Sequence, residues 1–319
     1  MCLLKEVFKV ANFFRTILIS LLAFLITTEI STRNLHKQLS KEIRTVRIEG
    51  LNLSYRGSGP VNGKTVVFLH GFGGSSFDWN FLMEELSKEY RCVALDIPPF
   101  GLSEKSVTFD YSDRNLVKVI ISFIKSLNID QFTLVGHSMG GYLSILTAMN
   151  QPGRVERLIL LDSAFSFRQS NEDIDVNSNI PSDEETFDRL TLLLNVGLKT
   201  YPVVKFVYRN FLGETKDLKN MEHFDYAFSQ NYFLPAEVLV KFSKDKIAQE
   251  EIEIDLSNLN VPTLIIYGEN DTITPPSIGK YLSEHIKKSK FILIPSEGHL
   301  PFWNEKVLLE IRRFLRDSE

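Results

Sequence analysis

Residues 136–140 of this sequence, GHSMG, form the stretch most suited to chemistry, because they close the apolar run QFTLV and open the helix-like run GGYLSILTAMN. In a G-x-S-x-G segment a sharp strand-to-helix turn holds the serine in a strained backbone position with its hydroxyl displayed, and the flanking glycines avoid the clash that side chains would cause there. The serine is Ser138. A serine hydroxyl is a weak nucleophile until a base takes its proton, and that base must be oriented by a third group. Of the six histidines, His299 in SEGHLPF follows the last apolar run, where a loop can return it to the serine. His36, His223 and His285 fall in segments where a solvated or hydrogen-bonded imidazole is the simpler account. His70 and His137 flank the reactive loops and suit structural hydrogen bonds. For the third group we expect Asp271 in YGENDTITP, with Glu269 and Asp162 as competing carboxylates. Each of the three could instead bind nearby loop N–H groups.

Acyl transfer also needs two preorganised donors for the oxyanion, one from the residue after the nucleophile and one from a loop after an early strand. The backbone amides of Met139 and Phe72 fill those roles, Phe72 lying in the glycine-rich HGFGG that follows KTVVFL. A phosphate-binding loop would need G-x-x-x-x-G-K-[ST], which this stretch does not match. The chemistry calls for no metal and no cofactor. Cys2 and Cys92 are too few for a disulfide framework or a zinc site, and Cys92 sits inside an apolar run as a small core residue.

Such groups converge only if a scaffold positions them. From residue 45, TVRIEG and LNLSYRG read as paired strands. KTVVFLHG, RCVALDIP, QFTLVGHS, VERLILLDS, VPTLIIYG and KFILIPS read as buried strands, since their apolar residues run on rather than alternate. Helix-like segments separate most of them. One covers residues 112–127, with Ser112 or Asp113 able to cap and Leu116, Ile120, Phe123 and Leu127 at helical spacing. This alternation predicts an α/β fold, a mainly parallel eight-stranded sheet flanked by helices, built from residues 45–164 and 251–319. The pattern fails over residues 165–250, which carry thirteen Phe or Tyr and no comparable strand run, and which read as a helical cap over the carboxyl edge of the sheet.

The first thirty residues differ in kind. Residues 16–28, TILISLLAFLITT, carry no charge, and Lys5, Lys9 and Arg15 precede them. Crossing a bilayer takes about 20 residues, a length reached by extending back to Val10 with Arg15 snorkelling. We expect an uncleaved membrane anchor in residues 1–30 and a membrane-associated protein. A removed secretory signal, implying a secreted or periplasmic protein, and an in-plane helix are the alternatives. Residues 31–44 read as a polar linker. The totals, 44% hydrophobic and 24% charged, suit a folded protein, and the net charge of -4 argues against nucleic acid as a partner.

HGFGGSSFDW, DIPPFGLSE, GHSMGG, YGENDTITP and EGHLPF, in this order and spacing, resemble the α/β-hydrolase superfamily across residues 45–319. Within it the chain is similar to the capped serine esterases and lipases, including membrane-anchored monoacylglycerol lipases, and to C–C bond hydrolases. The resemblance implies the chain order Ser138, Asp271, His299 for nucleophile, acid and base, and hydrolysis of carboxylic esters, with hydrophobic or lipid-like substrates such as monoacylglycerols. Haloalkane dehalogenases and epoxide hydrolases carry Asp where this chain has Ser138. The Pro that the family often has near Lys306, and the Gly near Pro99, are replaced here, which bears on local turns. A C–C hydrolase would use the same three residues, and a non-catalytic ligand-binding protein on the same fold is the alternative from another class.

Overall fold

The computed structural model describes residues 27–165, 197, 199–205, 218–250 and 252–317. The chain divides into two compact units, Met1–Lys41 and Glu42–Glu319. In the first, residues 27–39 are helical. The segment that composition marks as a polar linker is therefore largely helix: it holds no Pro or Gly, and Glu29 pairs with Arg33 one turn on at 2.8 Å. Residues 1–26, which hold nearly all of the expected anchor, lie outside the described residues. Among the described residues no helix is long and apolar enough to cross a membrane.

The second unit is built on an eight-stranded sheet. Its strands are β1 (Arg44–Ile48), β2 (Leu51–Ser58), β3 (Thr65–Leu69), β4 (Arg91–Leu95), β5 (Phe132–His137), β6 (Val155–Leu161), β7 (Thr263–Gly268) and β8 (Ser289–Ile294). β1 and β2 form an antiparallel hairpin, β2 joins β4 antiparallel, and every pair from β4 through β3, β5, β6 and β7 to β8 is parallel. β3, TVVFL, is buried at all five positions, as a strand covered on both faces must be. β8 differs from the expectation of a buried strand. It has a partner on one side only, so of its apolar residues only Ile294 is buried and Leu293 is exposed.

Helices cover both faces. α1 (Asn80–Leu86) and α7 (Glu305–Arg316) pack Leu82, Leu86, Val307 and Ile311 against Val66, Phe68 and Ile266. The opposite face takes α2 (Asp113–Ser126), α3 (Met139–Asn150) and α6 (Pro276–His285), whose Leu116, Ile120, Leu143 and Leu282 meet Val67, Leu134 and Ile265. Neighbouring residues of β3 alternate between the two clusters, the two-residue period of a strand turned into two cores. Cys92 is buried in the first of them, and its thiol is pushed up to about 12 by burial.

Within residues 165–250 the described part is helical: α4 (Leu218–Tyr232), α5 (Ala236–Ala248) and a turn at 201–205. Phe167, Phe187, Phe206, Tyr208 and Phe211 of the thirteen rings lie outside the described residues. Phe224 and Phe228 form a small buried cluster with Tyr201, Val204 and Leu300. Phe242 is instead buried in the main core, against Phe100 at 5.2 Å and Tyr111 at 5.6 Å.

Candidate active site

The parallel strands all end at one edge, and the residues singled out in the sequence follow those ends. Ser138 sits between β5 and α3 with φ 50° and ψ −120°. A non-glycine residue there costs on the order of 1–3 kcal/mol and must be held by its surroundings. The restraints are visible: Ser138 N donates to Leu161 O at 3.1 Å, and Ser138 O accepts from Gly141 N and Ala164 N, both at 2.9 Å. A side chain at Gly140 would strike the Leu69 and His70 carbonyls, so α3 can start this close to β3 only with glycine. Because α3 begins at Met139, that residue's amide is one of the first-turn N–H groups with no carbonyl partner inside the helix.

His299 lies beyond β8 and is buried. Its Nδ1 is 2.8 Å from Asp271 Oδ2, and the buried Asp271 follows β7. An imidazole whose Nδ1–H is held by a carboxylate presents Nε2 as a proton acceptor. Asp271 Oδ1 accepts from the amides of Ile273 at 2.8 Å and Thr274 at 3.0 Å. Burial works to raise this carboxyl, but the hydrogen bonds and charge of His299, with those of Thr274, outweigh it and hold the group below the ordinary aspartate value. His137, immediately before the serine, donates from Nε2 to His299 O at 2.8 Å, and the two rings lie 4.7 Å apart. Burial depresses the His137 imidazole well below its ordinary value, so it stays neutral and serves as a brace between the serine turn and the histidine loop.

The other candidates have different partners. Asp162 is fully buried at the end of β6, where its Oδ1 accepts from Gly268 N at 2.8 Å. Burial, and after it the charge of Asp271, push its carboxyl well above the ordinary value. Glu269 is exposed and accepts from Ser296 N at 3.1 Å. His70 bonds Gly71 O at 2.7 Å through Nδ1 and accepts from Ile97 N at 2.8 Å through Nε2, a neutral tautomer that fixes the loop leading to Phe72. His285 is exposed and stacked on Tyr281, while the side chain of His223 lies outside the described residues.

The glycine-rich loop reaches the serine directly. A side chain at Gly71 would lie 2.8 Å from His137 Nδ1 and 3.1 Å from Ser138 Cβ, so this backbone approach also depends on glycine. Phe72, next in sequence, keeps 57% of its surface exposed while its ring meets Phe100 at 5.0 Å and Phe242 at 5.8 Å. Among the described residues no group of three or more His, Cys, Asp or Glu could hold a metal ion.

The family described as alpha/beta hydrolase fold matches residues 64–306. The chain belongs to the alpha/beta hydrolase family. One relative is an uncharacterised hydrolase of Bacillus subtilis, YugF, 30% identical over 263 residues, 81% of this chain and 91% of that one. Lipase 3 of a Moraxella species is 25% identical, over 82% of this chain and 79% of its own length. Among solved structures, a putative lipase from Acinetobacter baumannii superposes with a TM-score of 0.72 at 21% identity, covering 89% and 95% of the two chains, which speaks for the fold.

Two groups of this alpha/beta hydrolase escape notice in sequence. Thr274 Oγ1 is buried 2.6 Å from Asp271 Oδ2, 2.9 Å from Asp162 O and 3.1 Å from His299 Nδ1, so one hydroxyl links both carboxyl-bearing residues and the imidazole. Its position three residues after Asp271, where a turn carboxylate finds backbone and hydroxyl donors, is the signal that would have found it. The second is Asn231 on α4, whose Nδ2 donates to Gly73 O at 2.8 Å from 158 residues away. No local pattern announces a contact of that range.

Proposed function

We propose that this alpha/beta hydrolase is a serine hydrolase that cleaves carboxylic esters, with hydrophobic or lipid-like substrates such as monoacylglycerols. The observation that carries the reading is the buried Asp271–His299 hydrogen bond, braced through His137 to the strained turn at Ser138. Ser138 Oγ attacks the ester carbonyl while His299 Nε2 takes its proton. The tetrahedral oxyanion is stabilised by the Phe72 and Met139 amides, and its collapse expels the alcohol, protonated by His299. Water then repeats the sequence on the acyl-enzyme, releasing the acid and restoring Ser138. Asp271 remains a carboxylate throughout, orienting the imidazole and stabilising the imidazolium. The half-exposed Phe72 ring beside the loop, and lipases among the relatives, support an apolar acyl group.

Labelling with a fluorophosphonate probe tests this directly. Wild-type protein is expected to be labelled on Ser138, and Ser138→Ala to lose the label and at least about 10³-fold in kcat, since the nucleophile is gone while the oxyanion donors remain. Substantial esterase turnover by Ser138→Ala would remove the proposal. Assay of p-nitrophenyl esters beside a vinylogous diketone separates ester from C–C hydrolysis.

A further inference from the structure

Residues 71–74 form a tight turn closed by Gly74 N on Gly71 O at 3.1 Å, with Gly73 at φ +71° in third place. That is the type II pattern, which asks for glycine at its third residue. In a turn so closed the N–H of the second residue, Phe72, is not used by the turn itself. Three of the four residues are glycine, the type with most backbone freedom to lose, so the direction of the Phe72 N–H depends on what grips the turn from outside. Gly71 is pressed on the His137–Ser138 turn, the Phe72 ring leans on Phe100 and Phe242, and Gly73 O receives Asn231 Nδ2. Two of these grips come from residues 165–250: Phe242 on α5 and Asn231 on α4, of which only Asn231 bonds the turn's backbone. The same helix, α4, carries Phe224 and Phe228 against Leu300, the neighbour of His299. One cap helix thus touches the loop beside the base and the turn that carries an oxyanion donor.

We propose that Asn231 is a positioning residue for the oxyanion: by holding the Gly73 carbonyl it fixes the 71–74 turn so that the Phe72 amide points at the charge that develops on the substrate. The cap is then part of the machinery and not only a wall of the pocket, because seating α4 and aligning the donor are one event. This rests on the serine-hydrolase reading above, and makes a separate demand of it. A donor displaced by about 1 Å loses most of its advantage at the transition state while ground-state binding is little changed. The loss therefore falls on kcat, and it falls equally on substrates too small to reach the cap.

Asn231→Asp keeps the shape and removes the donor; Asn231→Ala removes it without adding charge. Both are to be measured on phenyl acetate and on a p-nitrophenyl octanoate, with a trifluoromethyl ketone as an analogue of the tetrahedral adduct, and with thermal unfolding as a check of folding. The expected result is a fall in kcat of about tenfold to a hundredfold on both esters, KM within about twofold, and a weakening of the ketone that matches the loss in kcat/KM. Asn231→Gln, which retains an amide donor on a longer arm, is expected to recover part of the rate. Rates within twofold of wild type for either folded variant, or a rise in KM confined to the octanoate, would overturn the proposal and leave Asn231 a simple tie between cap and core. Failure of wild-type protein to react with a fluorophosphonate would instead remove the parent reading, and this one with it.

Discussion

Two buried aspartates flank the Thr274 hydroxyl, near enough for the charge of Asp271 to add to burial in raising the Asp162 carboxyl, and their surroundings shift the two in opposite directions. Asp271 collects the His299 Nδ1–H, two amides and the Thr274 hydroxyl, which favour its anion. Asp162 has only one amide on Oδ1 to favour its anion, and burial first, then the charge of Asp271, outweigh it and favour the neutral form. Asp271→Asn is expected to leave a folded protein with a misdirected imidazole and a kcat lower by about 10²–10⁴-fold, whereas Asp162→Asn should stay within about tenfold. A larger loss for Asp162→Asn would reverse the assignment. The two also differ in how stability follows pH. The folded chain keeps the Asp162 proton above the ordinary aspartate value, where the unfolded chain releases it, so this group makes stability fall as pH rises from about 4 toward its raised value. Asp162→Asn removes that slope, and its Tm relative to wild type should climb between pH 4 and pH 7. Asp271, with its depressed carboxyl, contributes stability present at neutral pH and lost on acidification through its lowered value. A Tm difference for Asp162→Asn that is flat across this range would show that the carboxyl ionises normally. Sequence alone favours Asp271 by chain order but keeps Asp162 and Glu269 as competitors, because all three follow strands. What distinguishes them is the donors each meets: Asp271 has two amides and a hydroxyl from residues two and three further on and His299 from 28 residues away, whereas Asp162 has the Gly268 amide from 106 residues away.

At the scale of elements, the helix at Asp113–Ser126 was readable because its apolar residues recur at helical spacing and turn toward the sheet. Its first residue was readable only in part. Asp113 suits a helix start, but its carboxylate is engaged by Lys246 and, at 2.6 Å, by Gln249, both at the end of α5. Tyr111 N adds a bond to Asp245 Oδ2 at 2.8 Å, and Asp113 N one to Gln249 Oε1 at 2.7 Å. These contacts, with Phe242 in the main core, tie the end of α5 to the start of α2. Asp113→Ala would leave Lys246 and Gln249 without that partner in a setting whose burial already depresses the Lys246 ammonium. Asp110 and Asp245 nearby soften the loss, so we expect about 2 kcal/mol and a fall in Tm of about 5 °C. A Tm changed by less than about 1 °C would mean that solvent screens the pair. Counting rings marks residues 165–250 by composition, but not where each ring packs: Phe224 and Phe228 cluster with Tyr201 and Leu300, while Phe242 is core. Periodicity speaks for one face of one element and not for the identity of the partner.

Over the whole molecule the sequence reveals most where a strand is covered on both faces, because burial writes an unbroken apolar run, and least where an element sits at an edge, as at β8, or where no repeating pattern exists, as in residues 165–250. The substrate preference is a property of this larger scale, since in the proposed function it depends on how much apolar surface the surrounding loops and helices present together to the ester. Of the described rings expected there, Phe224, Phe228 and Phe242 are buried in packing of their own, while Phe72, half exposed beside the turn, offers an apolar face to an acyl chain. Each methylene that such a surface takes from water contributes about 0.8 kcal/mol, approaching fourfold in affinity. Along a series of p-nitrophenyl esters from acetyl to octanoyl, kcat/KM should therefore climb until the surface is covered and then level, with monoacylglycerols turned over faster than triacylglycerols. A steady decline from acetyl onward would defeat the hydrophobic-substrate reading. It would leave Ser138, His299 and Asp271 in their proposed roles, because those are tested by labelling and by substitution, and would point to a small ester as the substrate.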